Sequence, residues 1–425
     1  MDEAPGHAVA PPPPPSGRIR PASLGVRALA IVLLGVSAWY GVMWGISQYH
    51  QWAAAGHLRH REFDKALENL AWARWAWPSN AESWFLSARS ARRAGQFEQA
   101  SEWLDRAHEK GARPRLVLLE RTLLLAKRGH FAEVEGKLHD LLRASRYDYP
   151  FIAEVLTDEY MRQYRFRESR ALLNRWIEIG GEAAEGRLRR AWVADHQFDF
   201  EQALRDYHEV LRLEPGRDQV RLRVAEILLE QRQPVQALEE LSPLLRSETV
   251  LVRATLLASR CERERGRPEE AARLLDALPE ADREAPEVVA ERGQVALRRD
   301  DWPAAEAFLR RAGRDLPRNV ELLYGLQQAL SRQGKSAEAE EVARSRKRTE
   351  EDTRRMGELV KKLGQDPANA ELRFECAEIF LRNGMIDDAT RWLEMTLEVQ
   401  PGHEQARKQL ATCRNRQAAK DRDPR

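Results

Sequence analysis

Cysteine is scarce. Cys261, Cys376 and Cys413 are the only three in 425 residues, and they lie far apart with no CxxC pair. A disulfide scaffold, a zinc ribbon and a thioredoxin-like motif therefore have nothing to rest on. An excess of one charge is lacking too: Lys+Arg 69 against Asp+Glu 67 gives a net +2. A chain held to phosphates normally carries a basic excess, so nucleic acid is not an expected partner. No Gly-rich phosphate loop, GxSxG elbow or HExxH motif occurs. No catalytic residue, cofactor, metal site or small-molecule substrate is expected. His57 and His60 stand three apart on a helix, but no third metal ligand is evident.

Long apolar runs are missing as well, with one exception. Residues 28–47 contain no charge, and twenty helical residues span about 30 Å, the thickness of a bilayer's hydrocarbon core. Trp39, Tyr40, Trp44, Tyr49 and Trp52 crowd its C-terminal side, where an interfacial aromatic belt would sit, and Arg27 stands at its other edge. The run exceeds the roughly 7–15 residues of a signal-peptide core, so an uncleaved anchor is expected. Arg18, Arg20 and Arg27 precede it closely, whereas Arg59, Arg61 and Lys65 follow at a distance. Positive-inside reasoning then puts the N-terminus in the cytoplasm and exports the rest. Five prolines at 11–15 make residues 1–27 an extended, solvated tail.

What remains is periodic. Small residues recur at Ala66, Ala100, Val134, Ser169, Ala203, Ala237, Ala271, Ala305 and Ala339, 34 or 35 apart, and again at Ala389 after 50. Each copy carries similar punctuation, as in AGQFEQASEWLDRA (94–107), and prolines close units in phase at Pro78, Pro215, Pro317 and Pro401. Trp84, Ala88, Gly95, Phe97, Ala100 and Ala107 in one unit, and Leu156, Tyr160, Phe166 and Trp176 more loosely in another, resemble the tetratricopeptide repeat, a 34-residue helix–turn–helix unit. The resemblance implies an all-α fold: a right-handed superhelical solenoid of about ten antiparallel helix pairs, preceded by one transmembrane helix. Units 1–9 would occupy 48–346 and the tenth 366–401. The charged stretch 347–365 would extend a helix past its normal end, supported by i,i+4 pairs such as Arg346–Glu350. Residues 402–417 read as a capping helix and 418–425 as a frayed tail.

The same resemblance implies a concave groove lined by the first helix of each pair. Phe85, Leu119, Leu188, Leu222, Leu256, Tyr324 and Phe374 would form an apolar-aromatic strip. Arg93, Lys127, Arg162, His196, Arg298, Arg332 and Arg382 would form a basic ladder beside it. Such a groove suits an extended acidic-amphipathic peptide. The inward positions Arg89, Asp158, Trp192, Glu226 and Arg260 do not match the family's carboxylate clamp. Trp72, Trp75 and Trp77 either fill the first contact between repeats or lie near the bilayer surface. The expected function is a membrane-anchored, non-catalytic scaffold for protein or peptide partners. The alternative is a regulatory or assembly subunit of a bacterial envelope-biogenesis enzyme complex.

Overall fold

The structure is a computed structural model that describes residues 24–180, 183–247 and 251–422, with the side chains at 24–28, 30, 59, 183 and 418–422 left out. The tail expected over residues 1–23 and the end of the chain at 423–425 lie outside the described residues. Among the described residues the chain is all-helical, without strands.

Two compact units divide it, Met1–Gly129 and His130–Arg425. The first holds α1 (Leu24–Arg59), α2 (Phe63–Ala76), α3 (Ala81–Arg93), α4 (Phe97–Glu109) and α5 (Pro114–Leu125). The second begins with α6 (Phe131–Ala144), α7 (Tyr149–Arg162), α8 (Phe166–Ile179), α9 (Ala183–His196), α10 (Phe200–Leu213), α11 (Asp218–Glu230) and α12 (Pro234–Leu241). It continues with α13 (Leu251–Glu264), α14 (Pro268–Asp276), the short α15 (Glu280–Arg283), α16 (Pro286–Arg298), α17 (Trp302–Gly313) and α18 (Val320–Arg332). It ends with α19 (Ser336–Gln365), α20 (Ala370–Arg382), α21 (Ile386–Val399) and α22 (Glu404–Arg422).

One corner is repeated ten times. Arg61, Gly95, Gly129, Tyr164, Phe198, Arg232, Gly266, Asp300, Gly334 and Gly384 all have φ between +58° and +96°. Each stands five residues before one of the small residues of the sequence register, and none of those ten is more than 5% exposed. The left-handed residue stops one helix, and the next N–H turns back to a carbonyl five residues earlier, as in Gln96 to Ala91 (2.8 Å) and Arg267 to Glu262 (2.9 Å). The small side chain then lets the following helix cross closely, while leucines and aromatics fill the space beyond.

Two helices depart from the period. α19 is unbroken over 30 residues, because nothing between Gly334 and Pro367 interrupts it and its charges pair along it, Arg346 with Glu350 and Arg355 with Glu358 (3.2 Å). α22 continues to Arg422, past the capping helix expected to end at Gln417, since Ala418, Ala419 and Lys420 are good helix formers.

α19 also carries the C-terminal helices back onto the start of the second unit. Tyr164 stacks on Trp392 (5.3 Å between centroids) and Arg162 pairs with Glu398 (2.9 Å). Arg373 donates to the carbonyl of Gln163 (3.2 Å). A Cβ on Gly364 would come within 3.2 Å of the Phe166 ring. The α7–α8 corner is thus covered by residues about 200 positions later.

The corner geometry predicts an asymmetry between glycines. Gly266→Ala forces an L side chain into the left-handed region and should cost about 1–2 kcal/mol. Gly216 has ordinary φ and open space around it, so Gly216→Ala should change stability by no more than about 0.5 kcal/mol. Urea midpoints of the two variants measured side by side check this.

Candidate peptide-binding groove

Ion pairs run between successive first helices of the repeats. In the first unit Arg89 and Arg92 of α3 both reach Glu120 of α5, at 2.5 and 2.8 Å. In the second, Arg189 of α9 pairs with Asp158 and Glu154 of α7, and Arg223 of α11 grips both oxygens of Asp195 on α9 at 2.7 Å. Arg253 of α13 meets Glu226 of α11 (2.6 Å), and Arg263 of α13 meets Glu291 of α16 (2.9 Å). Four of the five inward positions noted in the sequence, Arg89, Asp158, Glu226 and Arg260, take part in this bracing. The fifth, Trp192, does not.

Trp192 belongs to an open cavity of about 900 Å³ in the second unit. Leu188, Trp192 and His196 of α9 line one side, Phe198 stands on its corner, and Val220 and Arg223 come from α11. Met356, Gly357 and Val360 of α19 close the opposite side. Trp192 is 45% exposed and Phe198 70%. The His196 ring meets Trp192 edge-on (4.4 Å), and its Nδ1 lies 2.9 Å from the Trp192 carbonyl oxygen. Behind them Tyr207 donates to Asp195 (3.3 Å), and burial together with that carboxylate pushes the phenol well above its ordinary pKa. The cavity therefore offers a ligand two exposed aromatic faces over a floor of locked charges.

The expected apolar strip separates into two groups. Phe85, Leu119, Leu222 and Phe374 are buried, packed between helices and not facing a groove. Phe374 lies among Leu359, Leu363 and Trp392, and Leu222 shares a cluster with Ala191, Ala194 and Ala225. Phe85 and Leu222 stand four residues before Arg89 and Glu226 and so share their helix faces, and the Arg89 guanidinium covers the Phe85 ring (4.8 Å). Leu188 and Leu256 are half-buried, and Tyr324 is exposed with Arg346 over its ring (5.6 Å).

The basic ladder is likewise not a row of open cations. Arg162 holds Glu159 and Glu398, both at 2.9 Å, and Arg382 is bonded to Asp352. Arg93 lies over Phe63 (5.0 Å) and Arg332 over Trp302 (5.4 Å). Lys127 is half-buried in the first unit. Arg298 lines a second, polar cavity of about 550 Å³ with Arg223, Arg260 and Arg263 facing Glu226, Glu230 and Glu264. His57 is held by Glu62 (2.6 Å). The predicted interface aromatics Trp39, Trp44, Tyr49 and Trp52 are all exposed on α1. Arg27 lies in the first turn of α1, and its side chain is outside the described residues.

Of the residues lining this cavity, Leu188 and His196 are among those expected in the groove, whereas Phe198, Met356 and Val360 are not.

Tetratricopeptide-repeat family models match residues 53–114 and 256–317, and a second model of the same repeat matches 196–249, which includes His196, Phe198 and Arg223. Solved structures with a similar fold include a tetratricopeptide repeat protein from Parabacteroides merdae, 13% identical with TM-score 0.42, covering 63% of this chain and 99% of that one. PilW, a type IV pilus biogenesis factor, is 16% identical with TM-score 0.40, over 45% of this chain and 89% of its own. Yeast Tom70 is 13% identical with TM-score 0.36, over 88% and 96%. No curated protein matches the sequence.

The bracing predicts an acid-sensitive first unit. Burial raises the Glu120 pKa, but Arg92 and Arg89 outweigh it and bring it down to about 2. A depressed carboxylate contributes stability above its unfolded pKa of about 4.3 and loses it as pH falls towards 2. Glu120→Gln should therefore cost about 3–5 kcal/mol at pH 7, since it strands buried guanidinium charge. Its stability should also fall less steeply than wild type between pH 4 and 2, read from denaturant midpoints across that range.

Proposed function

The chain is a tetratricopeptide-repeat protein, and on that premise we propose that it is a membrane-anchored, non-catalytic scaffold that holds an extended segment of a partner protein between α9, α11 and α19. The repeat family supports the scaffold role. The aromatic pair Trp192 and Phe198 carries the choice of site, because two large exposed rings in a cavity are what a binding hot spot is made from. The charges around them are already paired, so they set orientation and specificity more than affinity. The partner segment has apolar side chains to cover the rings and polar groups to satisfy the rim of Arg217, Asp218 and Gln219.

The anchor reading rests on α1, whose residues from Ile31 to Leu58 are long and apolar enough to cross a bilayer and stand almost wholly unburied. The arginines before the run support a cytoplasmic N-terminus with the repeats exported.

Two measurements test these readings. In capture from solubilised membranes, Trp192→Ala and Phe198→Ala should each cost about 2 kcal/mol, lowering partner affinity by tenfold or more. Unchanged recovery from the aromatic variants removes the site. For sidedness, the three native thiols are buried, and burial pushes those of Cys261 and Cys376 up to about 12, so they stay silent in the folded chain. Tyr147 is 86% exposed. Tyr147→Cys should react with an impermeant maleimide in cells whose outer barrier is opened and inner membrane left intact; labelling only after lysis reverses the topology.

A further inference from the structure

We infer that the first repeat itself is a bilayer-contacting element: α2 lays Trp72 and Trp75 into the membrane interface beside α1, making a tryptophan collar from two helices. The inference rests on the anchor reading above and adds a lipid-contacting surface outside the apolar run.

The register of the two helices carries it. α2 runs antiparallel to α1, and three contacts fix their relative level. His50 Nδ1 lies 2.9 Å from Asn69 Oδ1, Ser47 donates to the Ala73 carbonyl (3.1 Å), and Tyr40 meets Trp77 edge-on (5.8 Å). The C-terminal half of α2 therefore lies alongside the final turns of the apolar run, and Trp72 and Trp75 straddle the level of Ser47. Twenty residues back from Ser47, about 30 Å of helix, end at Ala28 beside Arg27. A bilayer core placed on that span has its nearer edge at the two tryptophans.

Polarity on α2 changes along its length at that same level. Asp64, Lys65 and Glu68 are exposed on its first half. Beyond Asn69 the exposed positions are Ala71, Trp72, Trp75, Pro78 and Ser79, with no exposed charge until Glu82 of α3. Trp72 is 56% exposed and Trp75 61%, so they do not fill the contact between repeats. Arg74, the one charge in the stretch, is turned the other way, over Trp103 (4.3 Å) and Trp84 (5.2 Å) and bonded to Ser87. α1 turns polar at the same level, where Ser47, Gln48, His50 and Gln51 follow the apolar run, and Trp44, Tyr49 and Trp52 are exposed around it. Two antiparallel helices that change polarity and expose aromatic rings around one common level describe a plane. A bilayer interface is a plane that favours those rings.

The test uses the full chain in phosphatidylcholine vesicles containing spin-labelled lipid. A polarity-sensitive fluorophore is placed by Ala71→Cys, Ser79→Cys, Glu68→Cys or Leu33→Cys, with the unlabelled native thiols as blank. Labels at 71 and 79 should be blue-shifted and quenched by the lipid several-fold more than the label at 68. Trp72→Ser with Trp75→Ser should move the label at 71 towards an aqueous spectrum and leave the label at 33 unchanged. A lipid-buried label at 33 beside aqueous labels at 71 and 79 overturns the collar while the anchor stands. An aqueous label at 33 overturns the anchor and the collar with it. Blue-shifted labels that spin-labelled lipid does not quench overturn lipid contact in favour of a second copy of the chain.

Discussion

The fold depends on a backbone corner in the left-handed region followed five residues later by a side chain small enough for two helices to meet. Neither part suffices alone. A left-handed residue without the small one would end a helix and leave the next one no place to pack. A small residue without the corner would sit in a continuous helix. Five of the ten corners are held by non-glycine residues despite a cost of about 1–2 kcal/mol each, so the six-residue hydrogen-bonded turn and the buried crossing together outweigh it. The corner is set by the fold and only assisted by glycine.

Given that corner, each first helix must present one face to its partner, one to the next repeat and one inward. The inward face has little apolar area left over, and it is occupied mainly by arginine–carboxylate pairs reaching from one first helix to the next. These brackets are short, and several are buried, as at Arg92–Glu120 and Arg263–Glu291. Buried pairs of this kind specify register more than they add stability. Near-equal totals of acidic and basic residues are the compositional trace of that bracing, and a groove so neutralised recognises shape and aromatic contact before charge.

The corner was legible in the sequence because it is local: a small residue every 34 positions survives any amount of variation between. The groove was legible only in part. Phe85, Leu119, Leu222 and Phe374 are buried and not exposed to a groove, and Phe85 is covered by Arg89, four residues on along the same face. Arg162 and Arg382 looked like open cations because their partners, Glu398 and Asp352, are 236 and 30 residues away. The return of the C-terminal helices onto Tyr164 has no periodic signature at all. It is a packing of two surfaces whose residues, Tyr164 and Trp392, each look like ordinary repeat aromatics in isolation.

The tryptophans of α2 were ambiguous for a related reason. Helical patterns are usually judged around the axis, where a stripe of apolar residues marks a buried face. Trp72, Trp75 and Trp77 do not form such a stripe. Their meaning lies along the axis: charge at one end of α2 and aromatic rings at the other. An axial change of polarity on one helix could reflect any neighbour, but α1 changes at the same level while running in the opposite direction. Opposed helices share a boundary only if it belongs to their surroundings and not to either sequence pattern. The interfacial end of α2 then leads straight into α3. The first repeat is therefore both a unit of the solenoid and the rigid foot by which it would stand on the membrane.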